Sequence, residues 1–122
     1  MTDKELLEYA ARAAGYTTIQ HQNPKDSSLD IRYGIDEAIW NGEDYWNPLA
    51  DDGDALRLAV KMGMEVYIDT HPEGCDCTEV WSVTYDQSKK HERCVGHFGN
   101  PHAATRRAIV LCAAGIGEEM YK

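Results

Sequence analysis

The first and last parts of the chain show the periodicity of helices with a buried face. From Asp3 to Ala14, apolar residues recur at three- and four-residue spacings and Gly15 follows, which predicts a helix that ends at a glycine. Asn100-Pro101 is a typical helix start, because asparagine can cap and proline at the first helical position loses no hydrogen bond. The alanine-rich stretch beyond it predicts a deeply buried helix from about His102 to Met120.

A third helix is marked by acidic residues at its start. The run from Asp51 to Asp54 can accept hydrogen bonds from the free N–H groups of the first turn, and its charge complements the helix dipole. We expect the buried stripe of this helix to consist of Leu56, Ala59, Val60 and Gly63. Gly63 also suits the C-cap, since glycine adopts the left-handed conformation without steric cost.

Strands are predicted between these helices. Met64 to Asp69 alternates apolar and polar residues, as in a strand with one core face and one solvent face. Val80 to Tyr85 and Arg93 to Phe98 predict two more strands, Tyr16 to Gln20 is β-prone, and Leu29 to Trp40 fits strands or a short hairpin. Turns or ordered loops are expected at Asn23 to Ser28, Asn41-Gly42, Glu43 to Leu49, His71 to Cys77 and Gln87 to Lys90.

The length and composition of the chain are those of one folded domain. A chain of 122 residues can bury one hydrophobic core, so we predict a single domain over residues 1–122. Hydrophobic residues make up 43% of it and charged residues 27%, which excludes the composition of a disordered chain. The order helix, strand or strands, helix, two or three strands, helix indicates the α+β class.

The charge of the chain is acidic and unevenly distributed. The formal net charge is −9, and between Asp26 and Asp86 there are 15 acidic residues against three basic ones. From Lys89 to Arg107 the sign reverses, with five basic residues and one acidic residue. A dominantly acidic surface repels phosphate backbones, so we expect no nucleic-acid partner, although double-stranded-RNA-binding domains share the order helix, three strands, helix.

The start of the chain and its apolar runs bear on its location. The chain begins with a charged helical pattern, and not with a basic segment followed by an apolar one, which argues against a secretory signal. The longest apolar run, Ala108 to Ile116, is shorter than a membrane span. We therefore expect a cytoplasmic location, no membrane partner, and thiols that are mainly reduced.

Cysteines and histidines cluster in the second half of the chain. Cys75, Cys77, His91 and Cys94 have the chemistry to bind zinc tetrahedrally. One residue separates the paired cysteines, where the usual zinc knuckle has two, so unpaired reduced thiols are the favoured interpretation and zinc is the alternative. We predict no bound metal and no cofactor. Cys112 lies inside the apolar helix and is expected to be a packing residue.

No catalytic signature stands out in the sequence. Cys94 with His97 or His91 has the residue types of a nucleophile and its base, but these residues lie close in sequence as easily by chance, and loop histidines commonly have polar surface roles. Capping explains Asp51 and Asp52 without a catalytic or cation-binding role. The sequence contains no glycine-rich phosphate loop and no dinucleotide fingerprint. We expect that the protein is not an enzyme.

Three segments resemble one protein family. The segment Trp46 to Lys61 reads WNPLADDGDALRLAVK, which resembles the signature of the phage ABA sandwich domain. Ala103 to Val110 is similar to the closing helix of those proteins, and Leu6 to Gly15 fits their opening helix. The resemblance implies a three-layer α/β/α sandwich, with helices on both faces of a mainly antiparallel sheet, and a phage or prophage origin. It implies no reaction, and we expect the indole of Trp46 to anchor its loop in the core.

Two hypotheses about function follow. The first is a phage or prophage accessory protein without catalytic activity, which acts in the host cytoplasm by binding a host or phage protein, for example to counter host defence. The second is a protein that binds or sequesters a small molecule such as a nucleotide or signalling ligand. In that case Trp40, Tyr45, Trp46 and Arg57 are the candidate binding residues, since they offer stacking surfaces and a cation.

Overall fold

The structure is a computed structural model that describes residues 1–16, 20–22, 38–40, 45–71, 73–83 and 89–120, with the backbone alone at 20–22 and 38–40. Within these residues the fold is α+β, with three helices and two three-stranded antiparallel sheets. The elements in chain order are α1 (Asp3–Ala13), β1 (Gln20–Gln22), β2 (Ala38–Trp40), β3 (Tyr45–Trp46), α2 (Asp52–Met62), β4 (Met64–Asp69), β5 (Cys77–Val83), β6 (Lys89–Gly96) and α3 (Pro101–Met120).

The helix ends are those that the sequence predicts. Asp51 is the N-cap of α2, where its carboxylate accepts a hydrogen bond from the Asp54 N–H at 2.9 Å. Gly63 closes the same helix in the left-handed conformation, with φ of +64°. Asn100 caps α3, since its side-chain oxygen accepts from the Ala103 N–H at 3.1 Å. Each cap satisfies backbone groups that the helix leaves unpaired, which confirms these boundaries.

Helix α3 lies at the centre of the packing. It contacts α1 and α2 as well as β5 and β6. Its small residues allow this, because an added Cβ at Gly117 would collide with the backbone of Tyr9 in α1, and one at Gly115 would press on the side chains of His91 and Arg93 in β6. The apolar side chains buried along α3 form the main part of the core, together with Leu6, Leu7, Ala10 and Ala11 of α1, Ala55, Leu58 and Ala59 of α2, and Val80 of β5.

The second sheet has the strand order β4-β5-β6, so β4 is one of its two edges. β4 pairs with β5 along its whole length, from Met64 opposite Ser82 to Asp69 opposite Cys77. The pairing of β5 with β6 shifts register near Trp81. At this bulge a residue of β6 takes an unusual backbone conformation, His91 with φ of +53°, and its ring reaches Glu119 of α3 at 2.7 Å.

The first sheet has the strand order β1-β2-β3, in which Ile39 pairs with Trp46. Trp46 is 5% exposed, and its ring lies edge-on to that of Tyr16, with centroids 5.4 Å apart. The prediction that this indole anchors its loop in the core is therefore confirmed. Of the predicted β-prone segment from Tyr16 to Gln20, Gln20 lies in β1, and residues 17–19 lie outside the described residues. The predictions for residues 23–37 and 41–44 lie outside the described residues.

The predicted buried stripe of α2 is wrong at three of its four positions, since Leu56, Val60 and Gly63 are exposed and only Ala59 is buried. Leu56 is 64% exposed and Val60 is 74% exposed, whereas Ala55 and Leu58 join Ala59 in the core. The sequence contains two overlapping apolar stripes, because residues at 55, 58, 59 and at 56, 59, 60 both have helical spacing. The contact with α3 selects the first of them.

The bounds of β4 are as predicted, but its division into a core face and a solvent face is wrong. Val66 is 38% exposed and Ile68 is 49% exposed, although both have the alternation of core residues. β5 begins earlier than predicted, at Cys77, and β6 begins at Lys89, inside the predicted turn. Among the described residues, α2 and α3 contact β4 but leave Val66 and Ile68 on its apolar side exposed.

Candidate functional site

A groove of about 590 Å³ lies between α2, β4 and α3. Its lining is mainly apolar. The lining residues are Ala55, Leu56 and Ala59 from α2, Val66 and Ile68 from β4, and Thr105 and Ile109 from α3, with Asp52, Pro101, His102 and Arg106 at one end.

The groove accounts for the unexpected exposure of three apolar residues described above. Leu56 of α2 and Val66 and Ile68 of β4 all line it. Exposed apolar side chains that line one groove differ from scattered ones, because a binding partner can cover them together. Val60 is equally apolar and more exposed, but it does not line the groove.

The β4 wall also presents unused backbone groups. Because β4 is at the edge of its sheet, the N–H and C=O groups on its outer side have no strand partner among the described residues. The inner edge of β4 pairs with β5, and the face that carries Val66 and Ile68 lines the groove. An edge strand of this kind can accept a further strand from another molecule.

Charged groups close one end of the groove. The Arg106 guanidinium donates to the Asp52 carboxylate at 2.6 Å and to the backbone carbonyl of Leu49 at 2.9 Å. His102 lies 3.3 Å from the other oxygen of Asp52. The hydrogen bond from Arg106, followed by the charges of Arg106 and His102, lowers the pKa of Asp52 below its ordinary value, although partial burial opposes the shift. The groove therefore has one polar end and an apolar body.

A series of side-chain hydrogen bonds runs from the groove to the loop before β5. Thr105, which lines the groove, is bonded through its hydroxyl to the Thr78 hydroxyl at 2.9 Å, and Thr78 in turn contacts the Nε2 atom of His97 at 2.8 Å. The Nδ1 atom of His97 lies 3.0 Å from the Asp76 carboxylate. His97 is only 4% exposed, so the expectation of a surface role was wrong. This series of hydrogen bonds gives partners to two buried polar side chains, Thr78 and His97.

Of the four candidate residues of the small-molecule hypothesis, the three whose side chains the structure describes, Tyr45, Trp46 and Arg57, do not line this groove. Trp46 is buried in the core, and Tyr45 is half-buried. Arg57 is largely exposed and donates to the buried carboxylate of Asp54 at 2.7 Å, which raises the pKa of Arg57. For Trp40 the structure describes the backbone only. A binding role for these residues stays a prediction, and the exposed Leu56, Val66 and Ile68 are the signal that sequence analysis missed.

Three of the four cysteines lie together, away from the groove walls. Cys75 and Cys77 form a disulfide, contrary to the expectation of reduced thiols. Their sulfur atoms and that of Cys94 all lie within 4.8 Å of one another. His91, the fourth candidate zinc ligand, contacts Glu119 instead. Cys112 is buried, as predicted, and burial raises its pKa to about 11.

The basic segment from Lys89 to Arg107 is divided between β6 and α3, and several of its charges have partners. Arg106 binds Asp52 at the end of the groove, Arg107 contacts Asp3 of α1 at 3.1 Å, and the ammonium group of Lys89 lies over the Trp81 ring. The two arginine contacts join α3 to α2 and α1, and the lysine contact joins β6 to β5. Together they leave less free positive charge than the sequence indicates.

Within the described residues, no helix has the length and apolar character that crossing a membrane requires. Comparison of the chain with models of protein families, with curated proteins and with solved structures found no match.

Proposed function

We propose that this protein is an interaction module without catalytic activity of its own, which binds an extended segment of a partner protein in the groove between α2, β4 and α3. The proposal includes a phage or prophage origin, a host or phage protein as partner in the host cytoplasm, and the three-layer sandwich. These last points rest on the resemblance of the segment from Trp46 to Lys61 to the phage ABA sandwich domain.

The observation that carries the proposal is an apolar groove beside the outer edge of β4, which pairs with no other strand among the described residues. A strand that pairs with β4 would complete the sheet and would place every second side chain over Thr105 and Ile109 on the groove floor. The same strand would cover Leu56, Val66 and Ile68. One ligand would thus satisfy both the exposed backbone groups and the exposed apolar side chains.

The chemistry of the bound segment follows from the two faces of β4. Side chains of the ligand that share the face of Val66 and Ile68 enter the groove and must be apolar. Side chains on the other face lie near Glu65 and Asp69, so basic residues fit there, because opposite charges on neighbouring strands attract. The net charge of −9 favours a basic partner at longer range as well. The expected segment alternates apolar and basic residues.

A small apolar molecule is the second candidate ligand. The groove volume of about 590 Å³ lies within the usual range of ligand pockets. The polar end at Asp52 and Arg106 would orient such a molecule. Binding of such a molecule, or of a nucleotide, would raise the melting temperature of the protein, because a ligand that binds only the native state stabilises it.

The test uses a six-residue peptide, the length of β4, that alternates isoleucine and lysine. Its affinity, measured by fluorescence anisotropy, is compared with that of a peptide of the same composition whose isoleucines form one block. Leu56→Lys and Val66→Lys should each weaken binding by about tenfold, because each removes an apolar contact worth roughly 1.5 kcal/mol. Val60→Lys is the matched control, since it changes an exposed apolar residue of α2 that does not line the groove.

Equal affinity for the two peptides, or an equal loss with Val60→Lys, would refute a groove that selects alternating strands. Thermal-shift measurements with nucleotides and with an apolar fluorescent anion test the second candidate. If a small molecule raises the melting temperature, Leu56→Lys abolishes that rise, and the alternating peptide does not bind, then the ligand of the groove is a small molecule and not a protein segment.

A further inference from the structure

The sulfur atoms of Cys75, Cys77 and Cys94 form a cluster on two paired strands and the turn before them. Cys77 is opposite Gly96 in the ladder of β5 and β6, and Cys94 is two residues before Gly96, so both lie on the same face of the sheet. Cys75 reaches this face through the one-residue turn at Asp76, which has φ of +50°. All three sulfurs lie within 4.8 Å of one another.

Contacts other than the disulfide hold the turn in place. The Asp69 carboxylate accepts hydrogen bonds from the N–H groups of Cys75, at 3.0 Å, and His71, at 3.1 Å. These two bonds lower the pKa of Asp69. On the other side, the His97 N–H donates to the Asp76 carbonyl at 2.9 Å, and the His97 ring contacts the Asp76 carboxylate. These contacts hold the backbone of Cys75 and Asp76 beside β4 and β6 without using the disulfide.

The disulfide itself contributes little to the stability of the fold. Loop-closure stabilisation grows with the number of residues between the two cysteines, and here the separation is two. Cys75 and Cys94 are exposed while Cys77 is buried, so the cluster has one side against the protein and one side open to solvent. A disulfide that closes so short a loop and lies partly open to solvent is more typical of a reactive or ligand-binding site than of a crosslink that stabilises the fold.

We propose that the reduced cluster binds one thiophilic d10 metal ion, Zn²⁺ or Cu⁺, through the thiolates of Cys75, Cys77 and Cys94. Such ions prefer thiolate ligands. A Zn–S bond of about 2.3 Å places two sulfurs about 3.8 Å apart in a tetrahedral site. After reduction the sulfurs of Cys75 and Cys77 must therefore separate by about 1.8 Å from disulfide bonding distance. The Cys94 sulfur, which lies within 4.8 Å of both, needs to approach by no more than about 1 Å. Glu79, directly opposite Cys94, and Asp69 add negative charge near the ion.

The site is closed by oxidation and opened by reduction. A dithiol reductant gives two electrons and two protons to the Cys75–Cys77 bond, which becomes two thiols, and the reductant becomes a disulfide. Binding of the ion then releases three protons, one from each thiol, because the thiolate is the ligand form. Water or a ligand from outside the chain takes the open position of a four-coordinate Zn²⁺ ion, whereas three thiolates alone satisfy Cu⁺.

The experiment measures metal binding to the whole chain, reduced with a phosphine under argon. Zn²⁺ and Cu⁺ are titrated in separate arms against a competing chromogenic chelator, and native mass spectrometry gives the stoichiometry. We expect one ion per chain and none in the oxidised protein. Cys94→Ser should lower the affinity at least tenfold, while Cys112→Ala, which removes a buried thiol far from the cluster in sequence, should leave the affinity unchanged. Circular dichroism shows that each variant is folded.

Three results would overturn the proposal. The first is the absence of binding of either ion by the folded, reduced protein. The second is retention of full affinity in both Cys94→Ser and Cys77→Ser. The third is a complex of one ion with two chains, since the site requires all three sulfurs from a single chain. None of these measurements depends on the groove, so the metal site and the proposed binding function fail or succeed separately.

Discussion

Substitution of Gly117 by alanine tests the close approach of α1 and α3 on which the core depends. An added Cβ at this position would lie 2.8 Å from the carbonyl carbon of Tyr9 and closer still to its oxygen. These are backbone atoms, so they cannot rotate away as a side chain can. The two helices must therefore separate for the alanine to fit, which loosens contacts of Leu6, Leu7 and Ala10 with α3.

The expected magnitude is the difference between two opposing effects. Overpacking of a close interface costs about 1–3 kcal/mol. Replacing glycine by alanine within a helix returns up to about 1 kcal/mol through helix propensity, and less near the end of α3. We expect Gly117→Ala to lower the free energy of unfolding by about 1–2 kcal/mol. For a domain of this size, the melting temperature should fall by about 4–8 °C.

Gly115→Ala is the matched control for urea and thermal denaturation followed by circular dichroism. It makes the same change in the same helix, but its Cβ meets the ends of the Arg93 and His91 side chains, which can shift. We expect its free energy of unfolding to stay within about 1 kcal/mol of the unsubstituted protein. Equal or higher stability of Gly117→Ala would refute the close helix packing, and so would an equal loss in both variants.

Three further predictions concern a cap and two titrating groups. Asp51→Ala should lower the free energy of unfolding by about 1 kcal/mol in urea denaturation, because the first turn of α2 loses its hydrogen-bond acceptor, while Asp51→Asn should retain most of it. Since Arg106 lowers the pKa of Asp52, this carboxylate stabilises the fold above pH 3.8 and loses that effect as the pH falls further, so Asp52→Asn should flatten the acid side of the stability profile. With its pKa at about 11 against 9.0 for an ordinary thiol, Cys112 has about a hundredfold less thiolate at neutral pH, and iodoacetamide should label the exposed Cys94 of the folded protein and spare Cys112.

Features decided by neighbours in sequence were predictable. The N-caps Asp51 and Asn100, the glycine stop at Gly63 and the bounds of β4 agree with the structure. Each depends on hydrogen bonds or steric freedom within a few residues, and the sequence displays these directly. The burial of Trp46 followed from its size and from the turn after it.

Features decided by distant parts of the chain were not predictable. Helical spacing permits burial of either Ala55 with Leu58 or Leu56 with Val60, and only the contact with α3 distinguishes them. In the same way, the alternation in β4 identifies its two faces but not whether another element covers the apolar one.

The candidate sites show the same division between local and distant effects. The sequence shows which cysteines are present, but the pairing of β5 with β6 is what brings Cys94 close to Cys75 and Cys77. The buried ring of His97 likewise finds its hydrogen-bond partners in Thr78 and Asp76, which lie about twenty residues away in sequence and are brought beside it by the pairing of β5 with β6. Local chemistry thus determined where the described helices and β4 begin and end. Tertiary packing decided which surfaces stay open, because burial depends on partners that a periodic pattern does not name.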